Sequence, residues 1–237
     1  MEGVGSGNFD SERRKTHVRE PMIQLNLNGR PGEPLKVLCL GSHSDDIEIG
    51  CGGTVLRLAE QYGDCQFHWV VFSAIGARED EARRAASLFG GTRLKDPLFK
   101  TFRDGFMPYH GAEVKAVFEN ELKHLSPDIV FTHNRKDAHQ DHRLIEELTW
   151  NTFRDHLILE YEIPKYDGDF GQPSVFVSLE REVCEKKVRY IIDSFASQHL
   201  KRWFQPETFF SVMRLRGMEC NSPSGYAEAF YCRKMLL

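Results

Sequence analysis

Two short segments of this sequence hold most of the side chains whose types and spacing could carry out chemistry. The first is 41–48 (GSHSDDIE) and the second is 133–142 (HNRKDAHQDH). Imidazole nitrogens and carboxylate oxygens are ligands of zinc, and a catalytic zinc site has three protein ligands and leaves one position for water. The two segments together therefore predict a centre that binds one divalent metal ion and has further acids beside it.

The spacing of these side chains allows each of them a separate part in such a centre. His43 and Asp46 can supply two ligands from one loop, and His142 can supply the third from the start of a helix. Two acids, Asp45 and Asp141, are then left over. One of them would take a proton from the water molecule, and the other would orient a histidine through its second ring nitrogen.

Each segment on its own also has an ordinary structural explanation. Two acids at the end of a strand commonly cap a helix, and His139 and His142 could lie on a solvated turn. His139 precedes His142 by three residues, so on a helical turn the two imidazoles would point the same way. The occurrence of both segments, each directly after a predicted strand, favours the functional interpretation.

The elements that must position these segments follow from the hydrophobic pattern. Apolar runs bounded by turn residues predict strands at 36–40, 67–72, 128–132, 157–163 and 174–178, with a strand-like stretch at 98–106. Helical spacing predicts helices at 54–59, 79–89, 112–125, 141–153 and 180–195. The alternation predicts one α/β domain over residues 35–237, a Rossmann-like three-layer sandwich with a mostly parallel sheet. Ligands bind such a sheet at the carboxyl ends of its strands, where both segments lie.

Composition limits the class of protein further. The chain has 237 residues and a net charge of −4, from 31 Lys+Arg and 35 Asp+Glu, which argues against a nucleic-acid partner because such proteins carry a basic surplus. Residues 1–34 are polar and rich in glycine and proline, and we expect a flexible leader there. No apolar run reaches the roughly 18–20 residues of a membrane span, and six cysteines without a C-x-x-C pair are typical of reduced thiols. We therefore expect a cytoplasmic protein that does not insert into membranes, and the sequence leaves open whether it forms a homo-oligomer.

The glycine-rich stretch 50–54 (GCGGT) has two interpretations. A dinucleotide-binding loop would show G-x-G-x-x-G and an acid about 20 residues later, and this sequence shows neither. Close packing of a turn and helix against the sheet is the better explanation. The sequence also has no G-x-S-x-G nucleophile elbow and no Walker lysine.

The paired segments resemble those of the LmbE-like, or PIG-L-type, family of zinc-dependent N-deacetylases. That family has a His-Pro-Asp-Asp-x-Glu loop after its first strand and a His-x-Asp-His segment later in the chain. The resemblance implies that His43, Asp46 and His142 are the zinc ligands and that Asp45 is the general base. It also implies that His139, in its protonated form, stabilises the oxyanion and that Asp141 orients a histidine. Ser44 and Gln140 stand where the family often has proline, which leaves both loops with more backbone freedom.

The resemblance also implies an activity, a cofactor and a kind of substrate. The chain would remove an N-acetyl group from an amino sugar that is free, nucleotide-linked or otherwise conjugated, with one zinc ion per chain and Fe²⁺ as an alternative metal. Another metal-dependent amidohydrolase, a phosphoesterase, or a sugar- or nucleotide-binding module with a degenerate site are the alternatives. Arg78, Asp104 and Arg143 are expected substrate contacts because they lie near the predicted active edge, with ordinary ion pairs at strand and helix ends as the alternative, and the resemblance adds Glu228.

Overall fold

A computed structural model of the chain describes residues 25, 27 and 32–236. These residues contain seven strands: β1 (Leu35–His43), β2 (Cys65–Ser73), β3 (Leu94–Phe99), β4 (Ile129–His133), β5 (Leu157–Tyr161), β6 (Val175–Ser178) and β7 (Ala227–Tyr231). The predicted leader, 1–34, lies outside the described residues apart from 25, 27 and 32–34.

All seven strands belong to one sheet, in the order β3-β2-β1-β4-β5-β7-β6. Strands β1 to β5 pair in parallel, and β7 pairs antiparallel with both β5 and β6. In the centre of the sheet, Cys39 of β1 is the register partner of Trp69 on β2 and of Phe131 on β4. The chain order reverses between β1 and β4, and a reversal of this kind opens a crevice at the carboxyl ends of the two strands.

Helices cover both faces of the sheet. The structure describes six: α1 (Asp46–Gln61), α2 (Ala77–Gly90), α3 (Gly111–Val117, continued by a π-helical turn at Phe118–Leu122), α4 (Gln140–Thr152), α5 (Arg181–Ser194) and α6 (Pro206–Glu219). Apolar residues of α1, α2, α5 and α6 form one core with one face of the sheet, and those of α3 and α4 form a second core on the other face. The prediction of a three-layer α/β sandwich with a mostly parallel sheet is confirmed. None of the described helices is long and apolar enough to cross a membrane.

Four elements differ from the sequence prediction. Helix α1 begins at Asp46 rather than at residue 54, β3 occupies Leu94–Phe99 rather than 98–106, and α6 and β7 were not predicted. The early start of α1 includes three glycines, which local propensity disfavours in a helix. Packing against the rest of the protein therefore determines where α1 begins.

The glycines of α1 allow close approach of large side chains. A Cβ atom at Gly50 would overlap the ring of Tyr161, one at Gly52 would lie 2.6 Å from Phe89, and one at Gly53 would lie 2.5 Å from Leu179. These distances are shorter than any ordinary carbon contact. The stretch is thus a packing surface, as the sequence interpretation favoured, and it lets α1 lie directly on the sheet.

A buried ion pair contacts the backbone of α1 at the same place. The carboxylate of Glu228 accepts the N–H groups of Gly53 at 2.8 Å and of Thr54 at 2.6 Å. Lys187 donates to Glu228 at 2.6 Å and to the carbonyl oxygen of Ile49 at 2.7 Å. The N–H of Gly53 and the carbonyl of Ile49 are groups that an α-helix joins to each other, so the ion pair supplies further partners along this turn. It fixes the middle of α1 against α5 and β7.

We expect the substitution Gly50→Ala to lower the free energy of unfolding by about 2–3 kcal/mol, because the added methyl group overpacks against Tyr161. This loss exceeds the gain of about 1 kcal/mol that alanine brings to a helix interior. Urea denaturation measures the difference. Gly63→Ala is the matched control, since a Cβ atom there meets no atom within 4 Å. Equal destabilisation by both substitutions would contradict the packing argument.

Candidate metal centre

The reversal between β1 and β4 brings the two chemistry-bearing segments together. His43 is the last residue of β1, Asp46 is the first residue of α1, and His139 is the N-cap of α4, with its side chain accepting the N–H of Asp141. Each segment thus leaves the carboxyl end of a central strand and enters a helix. His142, in the first turn of α4, faces the loop that carries His43.

Three donor atoms form a compact triangle in this crevice. His43 Nδ1 lies 3.1 Å from His142 Nε2 and 3.4 Å from Asp46 Oδ2, and His142 Nε2 lies 3.5 Å from Asp46 Oδ2. Ligands bound tetrahedrally to zinc at about 2.0–2.1 Å are about 3.3 Å apart. The three atoms therefore have the chemistry and the spacing of three ligands to one zinc-sized ion.

Carboxylates hold the second ring nitrogens of both histidines. His43 Nε2 lies 3.2 Å from Asp141 Oδ2 and 3.0 Å from Asp104 Oδ1, and His142 Nδ1 lies 2.9 Å from Asp137 Oδ2. A metal-ligating histidine ordinarily donates its other N–H to such a partner, which fixes its tautomer and orientation. The contact of Asp141 with a histidine is the one predicted from the sequence. The partner of His142 is Asp137, to which the sequence analysis gave no role.

The charges in the centre support one another. Burial would raise the pKa of Asp46, but the three surrounding imidazoles outweigh it and hold that pKa well below its usual range. Burial lowers the pKa of His43, yet Asp46, Asp104 and Asp141 outweigh burial and raise that pKa well above its usual value. The carboxylates around His43 and the imidazoles around Asp46 thus each favour the charged form of the group they surround.

Asp45 is the chain neighbour of Asp46 and is paired with Arg78. Asp45 Oδ1 accepts a hydrogen bond from Arg78 Nη2 at 2.7 Å, and Asp45 is only 6% exposed. Arg78 follows β2 and also contacts Ser197 Oγ at 3.3 Å. The structure thus places the expected substrate contact Arg78 against the expected base, in the same crevice.

His139 lies over the other two histidines of the centre. Its ring centroid is 4.8 Å from that of His43 and 4.6 Å from that of His142. Burial and the positive charge of these two neighbours lower the pKa of His139. Its Nδ1 accepts the N–H of Asp141 at 3.2 Å, so the neutral ring carries its proton on Nε2. The arrangement favours a neutral hydrogen-bond donor rather than the imidazolium that sequence reasoning expected.

The role of a fourth histidine, His133, was missed in the sequence. It is fully buried at the end of β4, stacks on His142 with centroids 3.9 Å apart, and accepts the N–H of Ser42 at 3.0 Å on the nitrogen that lies 3.3 Å from Asp46 Oδ2. Because that nitrogen already accepts a hydrogen bond, His43 is the better third ligand. Its place in the sequence could have identified it, because His133 is the last residue of β4 just as His43 is the last residue of β1.

Three overlapping groups of the described residues have donor atoms close enough for one ion: His43, His139 and His142; His43, Asp104, His139 and Asp141; and Asp46, His133 and His142. All of them lie in this crevice. The triangle shares His43 and His142 with the first group, and Asp46 and His142 with the third.

The remaining predicted substrate contacts have different positions. Asp104 is at the mouth of the crevice, with its side chain 73% exposed. Arg143 donates to the carbonyl oxygens of Asp137 and Ala138 and lines a separate surface cleft that contains none of the three ligand residues. Glu228 is buried in the ion pair with Lys187. Its oxygens accept three hydrogen bonds inside the core, and a contact of Glu228 with substrate stays a prediction.

We expect Asp137→Asn to weaken zinc affinity by about 10–100-fold, the typical effect of losing the carboxylate partner of a metal-ligating histidine. Competition with a chromophoric chelator measures the affinity. Asp155 is exposed, so Asp155→Asn is the control and should bind zinc as the wild type does. An Asp137→Asn variant with wild-type affinity would show that Asp137 does not orient His142.

Comparison with known proteins agrees with this centre. The family model described as "PIG-L: GlcNAc-PI de-N-acetylase" matches residues 38–153, which include both segments. A protein described as the uncharacterized deacetylase YaiS of Escherichia coli K12 is 29% identical over 184 residues, which is 72% of this chain and 94% of that protein.

Two solved structures share the fold. N,N'-diacetylchitobiose deacetylase from Pyrococcus horikoshii has a TM-score of 0.65 at 20% identity, over 84% of this chain and 83% of its own. GalB, a 4-carboxy-2-hydroxymuconate hydratase from Pseudomonas putida, has a TM-score of 0.61 at 19% identity, over 85% of this chain and 97% of its own. The second shows that this fold also carries other chemistry. The family match covers both segments, and the stretch 38–153 of this chain is similar to the PIG-L family of GlcNAc-PI de-N-acetylases.

Proposed function

We propose that this chain is a zinc-dependent N-deacetylase that hydrolyses the acetamido group of an amino sugar. The observation that carries the proposal is the triangle of donor atoms from His43, Asp46 and His142. Asp45 is the chain neighbour of Asp46 and the N-cap residue of α1. The match of residues 38–153 to a de-N-acetylase family model, and the similarity to a protein described as a deacetylase, support the reaction class. The nitrogen and oxygen donors support zinc, and Fe²⁺ is the alternative ion for the same ligands.

Amide hydrolysis needs an activated water molecule and compensation for the charge that forms on the carbonyl oxygen. A zinc ion would supply both, since it lowers the pKa of water and polarises a carbonyl. Asp45 is the base in this proposal. Its carboxylate accepts a proton from the attacking water and later donates that proton to the amine nitrogen. The new C–O bond replaces the C–N bond, and the products are acetate and the free amino sugar.

His139 is the proposed donor to the oxyanion. Its Nδ1 is occupied by the N–H of Asp141, so the Nε2–H group is left to face the substrate. A hydrogen bond of this kind, when it strengthens as charge develops, typically contributes about 10²–10³ in rate. The donor need not be charged, which agrees with the lowered pKa of His139.

Asp104 and Arg78 are the proposed contacts with the sugar. The exposed carboxylate of Asp104 at the mouth of the crevice can accept hydrogen bonds from sugar hydroxyl groups. Arg78 can donate to a hydroxyl or an anionic group of the substrate while it holds Asp45 in place. The group to which the sugar is linked is outside this proposal, because neither residue distinguishes a free sugar from a conjugate.

We expect zinc-loaded wild-type protein to release acetate from at least one of three probes: N-acetylglucosamine, UDP-N-acetylglucosamine and N,N'-diacetylchitobiose. Asp45→Asn should retain one zinc ion per chain and lose about 10²–10⁴ in kcat, because it removes the base and keeps the ligands. His142→Ala should lose both zinc and activity. Acetate assays and metal analysis by mass spectrometry measure these outcomes.

The same measurements separate the alternatives. Wild-type activity in Asp45→Asn would show that Asp45 is not the base. Zinc binding without acetate release, together with hydrolysis of a phosphate ester, would favour a phosphoesterase. Zinc-free wild-type protein that does not take up added zinc would overturn the metal centre and favour a binding module.

A further inference from the structure

The loop between β5 and β6 is attached to the segment that carries the third proposed ligand. Lys165 Nζ lies 3.0 Å from Asp137 Oδ2 and 2.5 Å from Asp169 Oδ2. Asp169 Oδ2 in turn accepts the N–H of Ala138 at 2.7 Å. One ammonium group thus joins the loop to the segment just before His142.

These charged groups are withdrawn from water. The exposed fraction of the side chain is 11% for Lys165, 2% for Asp137 and 14% for Asp169. Bulk solvent therefore screens their interactions weakly, and each charge depends on its partners. Without the ammonium group, two carboxylates that now share it would face each other across a small distance.

Lys165 contacts the same carboxylate oxygen of Asp137 that contacts His142. Oδ2 of Asp137 is the atom that contacts both Lys165 Nζ and His142 Nδ1, and Oδ1 accepts the N–H of His139 at 2.8 Å. Any displacement of this carboxylate changes its contact with His142. Lys165 contacts Asp137, Asp169 and the carbonyl oxygen of Ile163, and of these Asp137 is the residue that contacts a proposed ligand, so Lys165 acts on the centre through Asp137.

We propose that Lys165 is a positioning residue of the metal centre, which holds the carboxylate of Asp137 in the orientation that aligns His142. This inference rests on the proposed zinc centre and extends it to the β5–β6 loop. Repulsion from Asp169 would otherwise push Asp137 away from His142. The competing explanation is that Lys165 only fastens the loop, with no effect on the metal.

A double-mutant cycle on zinc affinity distinguishes the two explanations. The variants are Lys165→Met, Asp137→Asn and the combination of both, with Lys165→Arg as the conservative replacement. Each is measured by chelator competition at one pH, and its unfolding by urea is measured without metal.

We expect Lys165→Met to weaken zinc affinity by about 3–10-fold, less than Asp137→Asn, because it acts one residue further from the ligand. Lys165→Arg should restore affinity to within about twofold of wild type, since it keeps the charge. In the Asp137→Asn background, Lys165→Met should add no further loss.

Wild-type zinc affinity in Lys165→Met, even with lower stability towards urea, would overturn the proposal. Lys165 would then only attach the β5–β6 loop to the rest of the protein. Losses that multiply in the double variant would also overturn it, because Lys165 would then act independently of Asp137. Failure of the wild type to bind zinc would overturn the centre itself, and that result is visible before any variant is compared.

Discussion

Three donor atoms held 3.1–3.5 Å apart and out of water are the constraint on which the rest of the site depends. Polar groups this crowded and buried need partners in every direction. The partners are Asp141 and Asp104 for His43, Asp137 for His142, and Arg78 for Asp45. Much of the polar structure at this edge of the sheet compensates the charges of these few side chains.

Helix α1 transmits the packing of the core to the site. Its first residue is Asp46, and its middle is fixed by the Tyr161 ring against Gly50 and by the ion pair of Lys187 and Glu228. A change in those contacts would move the helix that carries a proposed ligand. Stability and metal binding are therefore coupled through one helix, although Glu228 contacts none of the proposed ligands in its hydrogen bonds.

The sheet by itself does not determine the reaction. A deacetylase and a hydratase share it with this chain at 19–20% identity, as expected when function depends on a site rather than on a fold. What narrows the chemistry here is the content of the two segments that follow β1 and β4. The first turn of α2 and the loops after β3 and β5 then add Arg78, Asp104 and Lys165 around that centre.

The sequence by itself determined the fold class, the two segments and the edge of the sheet at which they meet, because hydrophobic periodicity and strand order are local properties. It also identified the glycine stretch of α1 as a packing surface. Only the tertiary structure decided that Asp137 rather than another acid holds His142, that Lys165 contacts Asp137, and that Glu228 is a core residue. These partners are separated by 5, 28 and up to 175 residues, and the free energy of a buried charge depends on which groups the folded chain places beside it.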